Sequence, residues 1–171
     1  MIRTRDLSLR RISVGEYKHG YAKVAADFVD PVSHPDISER LIHKRYSISH
    51  CITRAAEFNN QLVGLIIWEI LPKKSELRIL NLAYYPNRAE EIVKIFIKEI
   101  KRRRSNLWSR IVLRVREKDL DSQLLFSDEM NGFRAVSQSP IIADYYGEGI
   151  NAIEMEILSE LPVYPELPAH A

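Results

Sequence analysis

The 171-residue chain has one cysteine, six glycines and no apolar run long enough to cross a bilayer. Each shortage excludes something. Cys51 alone cannot form an internal disulfide, which fits a reducing compartment and a cytoplasmic location. The longest apolar candidate, LVGLIIWEIL, is interrupted by Glu69. The N-terminal stretch MIRTRDLSLRR carries charge but no apolar h-region, so no secretory signal is expected. An excess of one charge is missing too: 25 basic against 23 acidic residues leave +2, too balanced for a general nucleic-acid binder. His34, His43 and His50 have no Cys or carboxylate at ligand spacing around them, so no metal is expected. Between Pro86 and the helix that follows there is no glycine, and the helix opens with Ala89-Glu90-Glu91. A strand running into a helix N-terminus is a ready place for a phosphate, but such a site wants glycines and bare amides rather than carboxylates.

Hydrophobic residues make up 46% of the chain, enough for a single globular domain over residues 1–160. Residues 161–171, with three prolines, read as an extended or disordered tail. Ser8–Ile12 alternates as a first strand, and Ser13 is placed to cap a helix over VGEYKHGYAKVAADFV. Asp30-Pro31 and His34-Pro35 punctuate a loop, after which Asp36 or Ser38 is placed to cap a second helix, ISERLIHKRYSI. CITRAAEF and LVGLIIWEIL flank Asn59-Asn60, a pair that tolerates positive φ in a tight hairpin. A turn at Pro72–Ser75 leads into ELRILNLAYY, completing an antiparallel meander. A helix from about Ala89 buries Ile92, Ile95 or Phe96, and Ile100; RIVLRVRE follows as a parallel strand. A helix over Asp121–Met130, a strand FRAVSQ, a loop at Pro140–Gly149 and a strand NAIEMEIL complete the order. The fold class is α/β: a mixed sheet of about seven strands with helices on both faces.

That order, with the phrases ILNLAYYP, LRVREKDLDSQLLF followed by NGF, and DYYGEGINAIEMEI, resembles the GNAT superfamily of acetyl-CoA-dependent N-acetyltransferases. The resemblance covers roughly Cys51 to Leu158. It is nearest to the branch that acetylates N-terminal amines, including the ribosomal-protein alanine acetyltransferases. It implies transfer of an acetyl group from acetyl-CoA, as cosubstrate, to an amine acceptor such as a protein N-terminus or a small molecule. The amine must lose a proton before attack, an oxyanion forms and is stabilised by a backbone N–H, and the leaving thiolate needs a proton. By the resemblance, the backbone of Leu82, Ala83 and Tyr84 holds pantetheine and thioester, and Arg88 with the amides from Asn87 through Ala89 to Glu90 faces the diphosphate.

The sequence also departs from the family pattern. The Gln/Arg-x-x-Gly-x-Gly/Ala turn is absent, and Asn87 with Glu90 reads instead as a self-contained helix cap. Glu90 and Glu91 satisfy the positive helix end, by about 0.3–1 kcal/mol each, and repel a diphosphate. Arg114 stands where the branch has a glutamate base, Asp119 where an asparagine often contacts the cofactor arm, and Phe126 where a tyrosine protonates the thiolate. Under a gapless alignment Asp128 takes the tyrosine position instead. Tyr145 and Tyr146, in the loop that faces the substrate in that branch, read either as aromatics anchoring a loop between strands or, if the protein is a transferase, as the acid by default. Trp68 and Trp108 read as core, Cys51 as a small core residue, and Lys101–Arg104 as cations favoured by a helix C-terminus. Two readings follow: an acyl-CoA-dependent N-acyltransferase, or an inactive binding or assembly module of the same fold with a vestigial cofactor site, for which a homodimer is plausible.

Overall fold

The computed structural model describes residues 7–33, 51–103 and 108–158. The anticipated second helix, the C-terminal tail and His34, His43 and His50 lie outside the described residues. Eight strands form one mixed sheet. Strand β1 (Leu7–Arg11) is followed by helix α1 (Val14–Val24), β2 (Cys51–Phe58), β3 (Gln61–Leu71) and β4 (Glu76–Tyr84). Helix α2 (Ala89–Arg102), β5 (Arg110–Arg116), helix α3 (Leu120–Ser127), β6 (Arg134–Ala135), β7 (Ile141–Ile142) and β8 (Ala152–Leu158) complete the chain order. The sheet runs β1-β2-β3-β4-β5-β8-β6, with β7 also on β8. Among the described strands only β4 and β5 pair in parallel, because α2 carries the chain back across the sheet between them.

Local chemistry explains most boundaries. Ser13 accepts from the Glu16 N–H while Glu16 accepts from the Ser13 N–H, the reciprocal capping box that starts α1. Asn59 and Asn60 take φ of 49° and 60°, the left-handed pair that closes the β2–β3 hairpin. Alternation along the strands then divides the interior in two. Ile66, Trp68, Leu82 and Leu113 join Ile92, Val93, Phe96, Ile97 and Ile100 of α2 on one face, while Leu65, Ile67 and Leu80 join Tyr17 of α1 on the other. Phe96, rather than Ile95, takes the contested inward position. Helix α2 lies so close to β3 that a Cβ on Gly64 would come within 2.6 Å of Ile92 Cγ2, so glycine is required there by approach.

Three expectations are corrected. Helix α3 ends at Ser127 instead of reaching Met130, because Gly132 at φ 78° turns the chain and donates its N–H to Asp128. The strand expected over FRAVSQ shrinks to Arg134–Ala135, and the loop 140–149 contains β7; the two short strands share one edge of β8 in succession. Asn87 does not cap α2. Pro86 starts a tight turn over Pro86–Arg88, which makes Arg88 the N-cap, without a side-chain capping bond. Glu91 therefore sits at the third helical position and pairs with Arg88 at 3.0 Å.

Candidate functional site

The sheet is forked. Strands β4 and β5 pair from Glu76↔Arg110 to Arg78↔Val112 and then separate, leaving Ala83 and Val115 on different prongs. The cause lies in β4. Its register against β3 shifts between Ile67↔Asn81 and Trp68↔Ile79, so Leu80 is an extra residue, and a bulge of this kind bends and twists the strand that carries it. Leu80 packs toward α1, where Asn81 also finds its hydrogen-bond partners, while β5 continues straight, paired to β8 as far as Arg116↔Ala152.

On β4 alternate residues turn their main chain toward β3 or toward the fork. Ala83 lies opposite Leu65 and Tyr85 donates to Val63, so the peptide groups of Leu82 and Tyr84 face the fork. The Tyr84 N–H and C=O are both engaged there by Val29, at 2.9 Å each. A single residue of the loop after α1 thus lies against β4 as an additional strand would.

That loop carries the site's acid. Asp30 accepts from Asn81 Nδ2 at 2.6 Å, from the Tyr21 hydroxyl at 2.8 Å and from the Ser33 N–H at 3.0 Å. Tyr17, buried under α1, donates to Asn81 Oδ1, so Asn81 orients its amide with one partner on each end. Burial raises the Asp30 carboxyl above its ordinary 3.8 despite these three donors, and burial likewise raises the Tyr17 phenol. On the other prong, Tyr146 donates to the Arg114 carbonyl at 2.7 Å and to the Val32 carbonyl at 3.2 Å, tying β5 to the same loop. Burial raises its pKa too, and Arg116 stacks 4.7 Å from its ring. Tyr145 is half-buried, packs edge-on against Tyr146 and lies 5.0 Å from the Arg114 guanidinium, which also pairs with Glu154 at 2.8 Å. Tyr145, Tyr146, Asp30 and the fork-facing edge of β4 are therefore brought together.

The α2 face is different. Asp119 caps α3 by accepting from the Ser122 N–H at 3.1 Å and the Ser122 hydroxyl at 2.7 Å. Ser122 shares a hydrogen bond with the buried Tyr84 phenol, whose pKa burial pushes up to about 12. Phe126 is fully buried edge-on against Phe133 at 5.9 Å, a core residue with no open side. Arg88 lies with its guanidinium 3.6 Å from the Phe58 ring and is held there by Glu91. Beside the α2 N-terminus is a groove of about 300 Å³ lined by Glu90, Asp121, Leu124, Leu125 and Asp128. Three carboxylates, those of Glu90, Asp121 and Asp128, share the space, and Arg88 is not among its lining residues. Among the described residues no group of three or more His, Cys, Asp or Glu is placed to hold a metal ion, and no helix is long and apolar enough to cross a membrane.

Sequence reasoning missed Asp30, Asn81 and Tyr17. Asp30-Pro31 was visible only as loop punctuation; the pairing of Asn81 with Asp30 spans 51 positions and with Tyr17 spans 64, beyond any local motif.

No protein-family model matches the chain, and no curated protein matches it in sequence. Solved structures do match in shape. The ribosomal-protein-S18-alanine N-acetyltransferase from Escherichia coli superposes with a TM-score of 0.68 at 15% identity, over 94% of this chain and 99% of that one. Arabidopsis thaliana NAA60, in complex with a bisubstrate analogue, gives 0.66 at 15% identity over 90% and 98%. Spermidine N-acetyltransferase from Vibrio cholerae, in complex with CoA and spermine, gives 0.60 at 16% identity over 90% and 96%. The forked mixed sheet with helices on both faces is the fold of the GNAT acetyltransferases.

Proposed function

We propose that the protein is an acyl-CoA-dependent N-acyltransferase that acts on an amine, a protein N-terminus or a small molecule, with acetyl-CoA as donor. The observation that carries this reading is the fork itself: two prongs, a main-chain edge at Leu82 and Tyr84 that faces between them, and a buried carboxylate fixed on the loop whose Val29 bridges that edge. In this reading the pantetheine arm runs along Leu82–Tyr84 in place of Val29, and a main-chain N–H of that edge stabilises the oxyanion. Asp30 accepts the proton of the attacking amine. A carboxylate whose pKa is raised by burial is a stronger base than an ordinary aspartate, and its three donors hold it in one orientation. Tyr145, beside the Arg114 guanidinium, or Tyr146, between two main-chain carbonyls, takes the acid role toward the leaving thiolate. The diphosphate is left to solvent, because the turn after Pro86 offers it Glu90 and Glu91 in place of glycine amides.

The test is acetyl transfer to a panel of amines with wild type and Asp30→Asn. Loss of the base should lower kcat by roughly 100-fold or more. Asn also puts a donor where a carboxylate oxygen accepts from Tyr21 and Asn81, so Tm should fall. Because a carboxyl with a raised folded pKa opposes folding once the pH passes its unfolded value, the Tm deficit of Asp30→Asn should narrow as the pH rises above about 3.8. Full activity in Asp30→Asn would remove Asp30 from the mechanism. Absence of transfer, with no rise in Tm at millimolar acetyl-CoA, would favour the second reading, a binding or assembly module of the same fold; the Val29–Tyr84 bridge, which fills the cofactor's edge with the chain's own backbone, is the observation on its side. Binding at 100 times Kd should add roughly 2.7 kcal/mol, so the shift is measurable.

A further inference from the structure

At the far end of α2 from its acidic N-terminus lies a groove of about 860 Å³, framed by the end of β1, the starts of α1 and β2 and the end of α2. A 14-residue helix spans roughly 20 Å, so this groove is well separated from the fork and its flanking turn. Its floor includes Leu9 of β1 and Ile52 of β2, and its walls carry Arg11, Arg54, Arg102 and Arg103, with Glu99 as the acid among the lining residues. Arg11 follows Leu7 and Leu9 on the alternating strand and therefore shares their face, toward α2.

One carboxylate serves three guanidiniums. Glu99 pairs with Arg103 at 2.7 Å, with Arg102 at 3.1 Å and with Arg54 at 3.6 Å. Among the described residues, four arginines against one glutamate leave a surplus of three positive charges lining the groove. Arg54 is only 5% exposed; it donates to the Thr53 carbonyl at 2.8 Å and lies 5.7 Å from the Trp68 ring. Burial and the neighbouring Arg103 and Arg11 depress its pKa against the single opposing pull of Glu99. Cations at the end of α2 alone would be explained by the helix dipole. Arg11 and Arg54 would not, because they arrive from strands and are turned toward the same space.

We propose that this groove is a binding site for a small polyanion, a ligand bearing a di- or triphosphate. Guanidinium forks match phosphate oxygens bidentately, and a ligand with several charges balances the surplus that a single monoanion would leave. The apolar floor of Leu9 and Ile52 suits a non-polar portion of the same ligand.

Inorganic phosphate, pyrophosphate and tripolyphosphate, titrated calorimetrically at low ionic strength, test the site on the whole protein. Affinity should rise with the charge of the probe and fall with added salt. Arg102→Gln with Arg103→Gln changes two solvent-exposed side chains, so the fold should persist, and tripolyphosphate binding should weaken about tenfold or more. Arg10→Gln, on the opposite face of β1, should leave binding unchanged. Absence of tripolyphosphate binding at millimolar concentration would overturn the proposal, as would binding that the Arg102/Arg103 variant retains in full or that Arg10→Gln weakens equally.

Discussion

Substituting Val29 by proline should tighten acetyl-CoA binding, an unusual direction for a change beside a substrate cleft. Val29 is 40% exposed, so its side chain contributes little burial; its role lies in the main chain, which donates to the Tyr84 C=O and accepts from the Tyr84 N–H. Proline removes the first of these bonds outright. A main-chain hydrogen bond contributes a net of about 0.5–1.5 kcal/mol, so the strap as a whole is held by about 1–3 kcal/mol. If pantetheine needs the same edge, every donor molecule that binds must first displace the strap, and the apparent Kd is raised by that free energy. Loss of one bond should then lower Kd for acetyl-CoA roughly 2- to 12-fold, read by titration calorimetry, while Tm in the absence of ligand falls slightly. Unchanged or weaker binding in a Val29→Pro protein that remains folded would refute competition between the strap and the donor.

Two further outcomes test the surroundings. Glu76 is 1% exposed between Arg78 at 2.6 Å and Arg110 at 2.7 Å, and Glu76→Ala would take this partner from Arg78 and leave Arg110 with Glu156, for an expected loss of about 1–3 kcal/mol in urea unfolding. Burial alone would raise the Glu76 carboxyl, but hydrogen bonds and charge from Arg110 and Arg78 hold it below 4.5; its stabilisation is therefore present above that value and lost as the pH falls through the depressed one, so Tm of the wild type should drop more steeply on acidification than that of Glu76→Gln. Phe126→Tyr, which restores the hydroxyl that the family resemblance expects, should leave transfer unimproved and cost about 1–3 kcal/mol by chemical denaturation, because the ring is fully buried against Phe133; a gain in kcat would show that this position does face the reaction.

How far the sequence could be read depended on the range of the interaction. Ser13 with Glu16, and Asn59 with Asn60, are decided within a few residues, and both adopt the conformations their chemistry favours. The order of strands and helices followed from periodicity, which burial on two faces imposes. The fork itself was legible only through the resemblance, since ILNLAYY contains neither glycine nor proline to mark the bulge at Leu80. Asn87 and Glu90 showed the pattern of a cap, but Pro86 started a tighter turn that makes Arg88 the N-cap of a helix beginning at Ala89, where the sequence places it. The carboxylate on the loop was invisible because Asn81 and Tyr17 become its neighbours only after β4 has bent toward α1.

The two unusual features of the cofactor side have a common physical consequence. In an acyltransferase with a glycine turn, bare amides and the positive helix end attract the diphosphate, and the pantetheine follows into the fork. Here Glu90 and Glu91 occupy the positive end of α2, Asp121 and Asp128 line the adjoining groove, and Arg88 is folded over Phe58. Little attraction remains at the outer end of the cleft, so if the protein takes an acyl-CoA donor as proposed, the donor's affinity comes chiefly from the main-chain edge at Leu82 and Tyr84. That edge is also where the chain places Val29. In the proposed reading, pantetheine and strap then compete for the Tyr84 peptide groups, with little phosphate attraction to favour the cofactor. Under this arrangement an amine-bearing substrate that draws the Asp30 loop away from β4 would bind more tightly in the presence of the donor than in its absence, because each would relieve the same self-contact for the other.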